Sequence, residues 1–282
     1  MSRAGVGVAA GGRVAALAVV VFTLGAVQNL VVHGTQLTLV RAAYDILAAA
    51  VMAVFLAWLV PRIRLNLTSL TMLLWLEIFS IEFMINYVEG AFFTTTFASS
   101  FQSVGLSVSF AVVVSGVEAT SAAFLLGERG VIPGVKDLLR QYLSTRTRGS
   151  WTRRIVVASV VYFPIYLFFG LLVTPFVLPY YTNPSSGVVI PSFFVMVPLE
   201  LFRGLLFVLV LLPLMAALVG GRNTRAAALA AVLYIPGGFV ALVGSSGLPP
   251  EIVPFHAIEI LADSIVYGFA LSRILQTKVG QP

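Results

Sequence analysis

Apolar residues fill most of this chain in long runs, and charged residues sit mainly at the ends of those runs. A membrane hydrocarbon core about 30 Å thick is crossed by roughly 20 apolar residues of helix. Runs of that length predict an all-α polytopic membrane protein, with one membrane domain over 1–282 and about eight transmembrane helices. The predicted spans are near 14–32, 38–60, 67–89, 102–126, 155–177, 191–219, 226–243 and 255–274.

The basic residues predict how these helices are oriented. Of the 17 Lys and Arg residues, Arg41 and Arg203 fall well inside predicted spans, and Arg273 lies at the predicted cytoplasmic end of the last one. If the N-terminus starts on the cytoplasmic side, all the others fall on that side and the predicted outer loops carry none. Cytoplasmic loops of membrane proteins are enriched in Lys and Arg. We therefore expect both termini to be cytoplasmic, in a prokaryotic plasma membrane.

One predicted helix lies outside the spans, near 133–145. Its apolar residues recur at helical spacing, with Leu139 and Tyr142 opposite Lys136. This pattern predicts a short helix lying on the inner membrane surface. Because basic residues continue beyond it, we expect residues 133–154 to contact anionic inner-leaflet lipid. A docking surface for a soluble partner is the alternative.

Composition agrees with a membrane environment and excludes several kinds of chemistry. The chain is 59% hydrophobic and 10% charged, whereas soluble domains are about 25% charged. It has no cysteine, which excludes disulfides, thiolate metal sites and a cysteine nucleophile. The net charge of +6 lies at membrane edges, so we expect no nucleic-acid partner. No phosphate-binding loop motif is present, which argues against ATP-driven chemistry.

Several ionisable residues lie inside predicted spans, where each costs at least a few kcal/mol unless it faces a cavity, a partner or a ligand. In the last span, His256, Glu259 and Asp263 have the spacing i, i+3, i+7 and share one helix face. In the sixth span, Glu200 and Arg203 are one turn apart. These two groups are candidates for binding a ligand or a proton.

Two further spans carry polar residues at a similar depth. Glu82, Asn86 and Glu89 share a face of the third span, and Arg41 and Asp45 form an i, i+4 pair in the second. We interpret the Arg41 pair as hydrogen bonding between helices. Counting about 1.5 Å per residue from the predicted outer ends places all of these groups between the outer interface and the bilayer middle. The sequence therefore predicts an acidic polar cluster in the outer half of the bilayer.

Acids outnumber the arginines in this cluster. Its six acids are Asp45, Glu82, Glu89, Glu200, Glu259 and Asp263. The surplus carboxylates must be protonated, hydrated or bound to a cation. One form of such a site is a divalent cation held by His256, Glu259 and Asp263. Glu77 and Glu118 are interpreted instead as isolated partners for hydroxyl or backbone groups.

A short string in the sixth span, Glu200–Leu206, resembles the first motif of the CAAX-protease and bacteriocin-processing membrane family. That family has two adjacent glutamates where this chain has Pro198 and Leu199. It has phenylalanine at the position of Ile252, and asparagine or aspartate at that of Ile260. The resemblance thus covers about seven residues of the 282. It implies only that an intramembrane hydrolase belongs among the functions to consider.

Three functions are compatible with these patterns. A proton- or cation-coupled transporter would use the surplus acids and a broken seventh span at Pro236-Gly237-Gly238. An intramembrane hydrolase would use a metal ion or a glutamate. A membrane scaffold or assembly factor would need the polar cluster only for packing. The sequence leaves the solute, the lateral arrangement of the helices and the oligomeric state open.

Overall fold

The computed structural model describes residues 3–31, 38–94, 101–128, 133–245 and 248–276. Within these ranges the chain is almost entirely helical and has no β-strand. The helices are α1 (Arg3–Val31), α2 (Leu39–Leu59), α3 (Leu67–Phe93), α4 (Phe101–Leu126), α5 (Val135–Ser144), α6 (Arg148–Tyr181), α7 (Phe193–Ala217), α8 (Arg222–Gly244) and α9 (Val253–Leu275).

Seven helices of the described chain, α1 to α4 and α6 to α8, are long and apolar enough to cross a membrane. Their outer faces expose large hydrophobic side chains such as Leu39, Leu171 and Phe194, which lipid solvates and water does not. The chain is therefore an all-α polytopic membrane protein, as predicted. Helix α9 has 23 residues but is not among the seven. Its crossing of the membrane and the cytoplasmic location of the termini stay predictions.

Several helices extend beyond their predicted ends. Helix α6 begins at Arg148 because Thr147 caps it, accepting a hydrogen bond from the Ser150 amide. It also continues through Pro175 and Pro179 to its end. The prediction ended each span where apolar residues gave way to polar ones. A helix is not limited to the hydrocarbon core, and hydrogen bonding and capping continue it into the interface.

Two π-helical segments pack against each other in the middle of the bundle. They are Ile78–Met84 in α3 and Ile235–Val240 in α8. The backbones approach closely here, since a Cβ on Gly237 would lie 2.9 Å from Cγ2 of Ile81. The sequence predicted a broken helix at these glycines. The structure instead continues α8 through them as a π-helical segment, a distortion that is common at functional sites.

The C-terminal end of α9 is held by α5 and the beginning of α6. The last carbonyls of a helix have no partner within it, and side-chain donors can satisfy them. Three side chains donate to the last carbonyls here: Tyr142 to Leu275, Arg146 to Gln276 and Arg154 to Ile274. The segment predicted to lie on the inner membrane surface therefore also fastens α9 to the bundle.

We expect Tyr142→Phe to lower the free energy of unfolding by about 1 kcal/mol, the usual net value of one hydrogen bond. Burial raises the pKa of Tyr142 to about 12, so its hydroxyl is protonated at neutral pH and donates to the Leu275 oxygen at 2.6 Å. Thermal unfolding in detergent measures the change. Tyr44→Phe is the control because Tyr44 is 51% exposed. Equal effects of both substitutions would contradict the assignment.

Candidate functional site

A polar cavity of about 510 Å³ opens at one end of the bundle. Its walls come from the C-terminal parts of α1, α3 and α8, the N-terminal parts of α2, α7 and α9, and residues of α4 and α6. The shared end of these helices is the one that the sequence placed in the outer half of the bilayer. The cavity therefore gathers residues of the predicted polar cluster, while its depth in the bilayer stays a prediction.

Arg203 joins two carboxylates from different helices on the cavity wall. Its Nη1 lies 2.8 Å from Oε2 of Glu200, one turn earlier in α7, and its Nη2 lies 2.6 Å from Oε2 of Glu89 in α3. Glu200 is fully buried and Arg203 is 5% exposed. Both Nη groups are therefore engaged, and the ion pairs connect α3 to α7.

Aromatic rings surround the same guanidinium. The Arg203 Cζ lies 5.8 Å from the ring centroid of Tyr162 and 6.0 Å from those of Tyr166 and Phe207. A cation within about 6 Å of an aromatic ring is attracted to it. The rings and the two carboxylates together keep the arginine charge inside the protein.

His256 bridges α9 and α6 at the mouth of the cavity. Its Nδ1 lies 2.8 Å from Oε2 of Glu259, and its Nε2 lies 3.2 Å from the Tyr181 hydroxyl. A Cβ on Gly170 would lie 3.2 Å from Oε1 of Glu259, so α6 approaches this carboxyl closely. The carboxylate and the tyrosine hydroxyl fix the orientation of the imidazole ring.

Asn86 bridges the two π-helical segments. Its Nδ2 donates to the Glu82 carbonyl at 2.8 Å and to the Gly237 carbonyl at 2.9 Å. These bonds satisfy carbonyls at places where regular helical hydrogen bonding is disturbed. Asn86 thereby has a structural role at the cavity wall, and it also positions the segment that carries Glu82.

Arg41 and Asp45 form another pair on the cavity wall. Arg41 Nη2 lies 3.0 Å from an Asp45 carboxylate oxygen, and the Asn29 amide of α1 donates to Asp45 at 3.2 Å. The aspartate therefore contacts both α1 and its own helix. The contacts fit the interpretation of this pair as hydrogen bonding between helices.

The cavity carries more acidic than basic side chains. The basic groups on its wall are Arg41, Arg203 and His256, each next to a carboxylate. The six acids that line it are Asp45, Glu82, Glu89, Glu118, Glu259 and Asp263. Within the described ranges, no basic group lies at ion-pair distance from the three of these that remain, namely Glu82, Glu118 and Asp263.

The structure brings most of the predicted site residues together. Six of the seven line the one cavity: Glu82, Asn86, Arg203, His256, Glu259 and Asp263. The seventh, Glu200, is not on the cavity wall, but its carboxylate pairs with Arg203, which is. Glu118, interpreted from the sequence as an isolated partner of hydroxyl or backbone groups, lines the cavity, and its buried Oε2 has no hydrogen-bond partner in the described structure. As a single acid on an apolar helix it gave no pattern, and only the packing of α4 turns it inward.

The predicted metal-binding residues are not gathered into one set of ligands. In the described part of the chain, no group of three or more His, Asp or Glu side chains is placed to hold a metal ion. The Ser264 hydroxyl donates to the Asp263 carboxylate at 3.4 Å, and the paired His256 and Glu259 lie earlier on the same helix. The divalent-cation site at these residues stays a prediction.

Comparison with known protein families, curated proteins and solved structures finds no match for this chain.

Proposed function

We propose that this protein is a proton- or cation-coupled permease of a prokaryotic plasma membrane, with the acidic cavity as its binding site. One observation carries the proposal: the cavity lies inside a membrane bundle and holds six acids against three basic groups. Ionised carboxylates without a partner are unstable at such depth, so they take up protons or cations. A site that must bind a cation or proton to be stable is suited to coupling their movement to a solute.

The paired π-helical segments add support. In many transporters, interrupted helices lie beside the binding site and expose backbone groups to it. Here Gly237 and Gly238 of α8 and Glu82 of α3 belong to the two π-helical segments and line the cavity. Small shifts in such segments would change the shape of the site without unfolding either helix.

The inner surface of the protein is proposed to bind anionic lipid over residues 133–154. Two arginines of this segment donate to α9 carbonyls. Four other basic residues remain exposed, namely Lys136, Arg140, Arg148 and Arg153. Basic side chains at the cytoplasmic surface are attracted to anionic headgroups.

Transport is tested with proteoliposomes adsorbed on a solid-supported membrane, where charge movement is recorded as current. The probes are Na⁺, K⁺, Mg²⁺ and choline, each with and without an imposed pH gradient. We expect a current with at least one of them and its loss in Asp263→Asn, because that substitution removes an unpaired acid of the cavity. Asp137→Asn is the matched control, since Asp137 is an exposed acid on α5.

Two results would contradict the permease. The first is the absence of current from monodisperse wild-type protein with every probe. The second is an unchanged current in Asp263→Asn, which would mean that the cavity acids do not take part. If alanine were tolerated throughout the cavity apart from stability, a scaffold would be the better description.

A glutamate-dependent intramembrane hydrolase is the second candidate, favoured by the contact between His256 and Glu259. A carboxylate that orients an imidazole ring makes it an effective general base. Purified protein would be incubated with a panel of membrane-peptide and lipid-ester substrates. Turnover that is lost in His256→Gln, together with the absence of cation currents, would favour the hydrolase over the permease.

A further inference from the structure

We propose that Glu82 of α3 and Glu118 of α4 form a two-carboxyl site that holds one exchangeable proton at the floor of the cavity. Both side chains line the cavity. Glu118 is only 3% exposed. In the described structure, the Oε2 atoms of both glutamates are buried and have no hydrogen-bond partner. Glu118 is thus a buried, unpartnered polar side chain directed into the cavity.

The two carboxyl groups come from elements that pack against each other. Glu82 lies in the π-helical segment Ile78–Met84, which packs against α4, the helix that carries Glu118, and both residues line the same cavity. Two carboxylates held together in a largely buried site repel each other, so ionisation of both is disfavoured. A shared proton removes the repulsion, and the proton then belongs to the pair and not to either residue.

The groups around the pair do not neutralise it. The other charged or titratable residues described on the packed elements are Arg13, Arg41, Tyr44, Asp45, Arg62, Glu77, Tyr87 and Glu89. Arg41 lies 3.0 Å from Asp45, Arg62 donates to the Trp58 carbonyl, and Arg13 is exposed. Glu89 is paired with Arg203. The π-helical segment of α8 contributes the uncharged Gly237 carbonyl, so no basic group of the described chain reaches the pair.

The position of the pair gives the proton a role. Glu118 lies in the half of α4 that is nearer the predicted cytoplasmic side, whereas His256 and Glu259 lie near the opposite end of the cavity. Glu82 and Glu118 therefore extend the acidic lining of the cavity from its opening towards the predicted cytoplasmic side. Resting on the proposed permease function, the inference assigns the coupling proton to Glu82 and Glu118, leaving the outer acids to bind the solute.

The site is tested by labelling with dicyclohexylcarbodiimide, a lipophilic reagent that adds to protonated carboxyl groups in apolar surroundings. Wild-type protein, Glu82→Gln, Glu118→Gln and Glu77→Gln are labelled over a range of pH in detergent, and the adducts are located by mass spectrometry. Glu77→Gln is the matched control. Glu77 is also a buried glutamate of α3 with unpartnered oxygens, but it does not line the cavity.

We expect wild-type protein to be labelled at Glu82 or Glu118, with at most one adduct on the pair in each molecule. In Glu82→Gln the labelling of Glu118 should be lost at a lower pH than in wild type, because a neighbouring negative charge has been removed. In Glu77→Gln it should follow the wild-type profile. Monodispersity of each variant shows that the comparison is between folded proteins.

Three results would overturn the proposal. One is the absence of label on both glutamates of the wild type. Another is an identical pH profile for Glu118 in wild type and Glu82→Gln, which would mean that the two groups titrate independently. The third is suppression of labelling by Na⁺ at constant pH, which would assign the site to a metal cation. Labelling requires no transport, so a labelled pair in a protein without cation currents would refute the permease and leave the proton site standing.

Discussion

Replacing Arg203 by methionine is expected to lower the free energy of unfolding by about 3–5 kcal/mol, the cost of leaving a buried charge without its partner. Arg203 lies 2.8 Å from Glu200 and 2.6 Å from Glu89. Glu200 has no exposed surface at all, so water cannot replace the guanidinium. Methionine fills most of the arginine volume, so the loss of stability comes mainly from the missing charge and not from a new cavity. Thermal and denaturant unfolding in detergent, followed by tryptophan fluorescence, measures the effect.

A charge-balanced variant separates this explanation from loss of packing. In Arg203→Met with Glu200→Met, the fully buried carboxylate is absent as well, and much of the lost stability should return. Arg41→Met is a milder control, since Asp45 keeps the hydrogen bond from Asn29 when the arginine is removed. A double variant no more stable than Arg203→Met alone would show that the ion pair is not the cause.

Replacing Gly268 by leucine is expected to separate α8 from α9 and to cost about 3 kcal/mol or more, the upper part of the range for overpacking. A Cβ at this position would lie 2.6 Å from the amide nitrogen of Ala230 and 2.9 Å from its Cα. These are backbone atoms and cannot rotate away. Lipid offers no hydrophobic force to hold membrane helices together, so close contacts between small residues are a main source of their association.

Gly268→Leu should also disturb the cavity, because α8 and α9 both contribute to its wall. Helix α9 carries His256, Glu259 and Asp263, and α8 carries Gly237. Stability is measured as for Arg203, and cation currents are compared with those of wild type. Gly105→Leu is the control, because Gly105 is exposed on α4 and a Cβ there meets no atom within 4 Å. Similar losses in both variants would mean that leucine itself, and not the contact with α8, disturbs the bundle.

Local sequence predicted an irregularity in one of the two π-helical segments, and helix packing accounts for the other. Pro236 and the glycines after it marked an irregularity in α8, and the structure has one there. The segment Ile78–Met84 in α3 carries no proline or glycine and gave no such signal. It becomes irregular where it meets α8, and the Asn86 amide, bound to the Gly237 carbonyl, joins the two segments. An irregularity of this kind depends on the neighbouring helix, which local sequence does not specify.

In the candidate site, too, local sequence indicated the contacts within single helices but not those between helices. Spacing within one helix placed Glu200 one turn from Arg203, and it placed His256, Glu259 and Asp263 on one face. The structure has the Arg203–Glu200 and His256–Glu259 contacts within single helices. The contacts between helices were not predictable, including those of Arg203 with Glu89 and of His256 with Tyr181. Glu118 belongs to this second group, since nothing in its own helix distinguishes it.

The sequence by itself determined that this protein is a helical membrane protein and which acids lie within its apolar helices. Both follow from transfer free energies, because apolar runs partition into lipid and charges are costly there whatever their neighbours are. The tertiary structure alone decided which acids have a basic partner and which do not. Helices in a bilayer associate through shape and hydrogen bonds between distant residues, and that association leaves Glu82, Glu118 and Asp263 around one cavity without a described cationic partner.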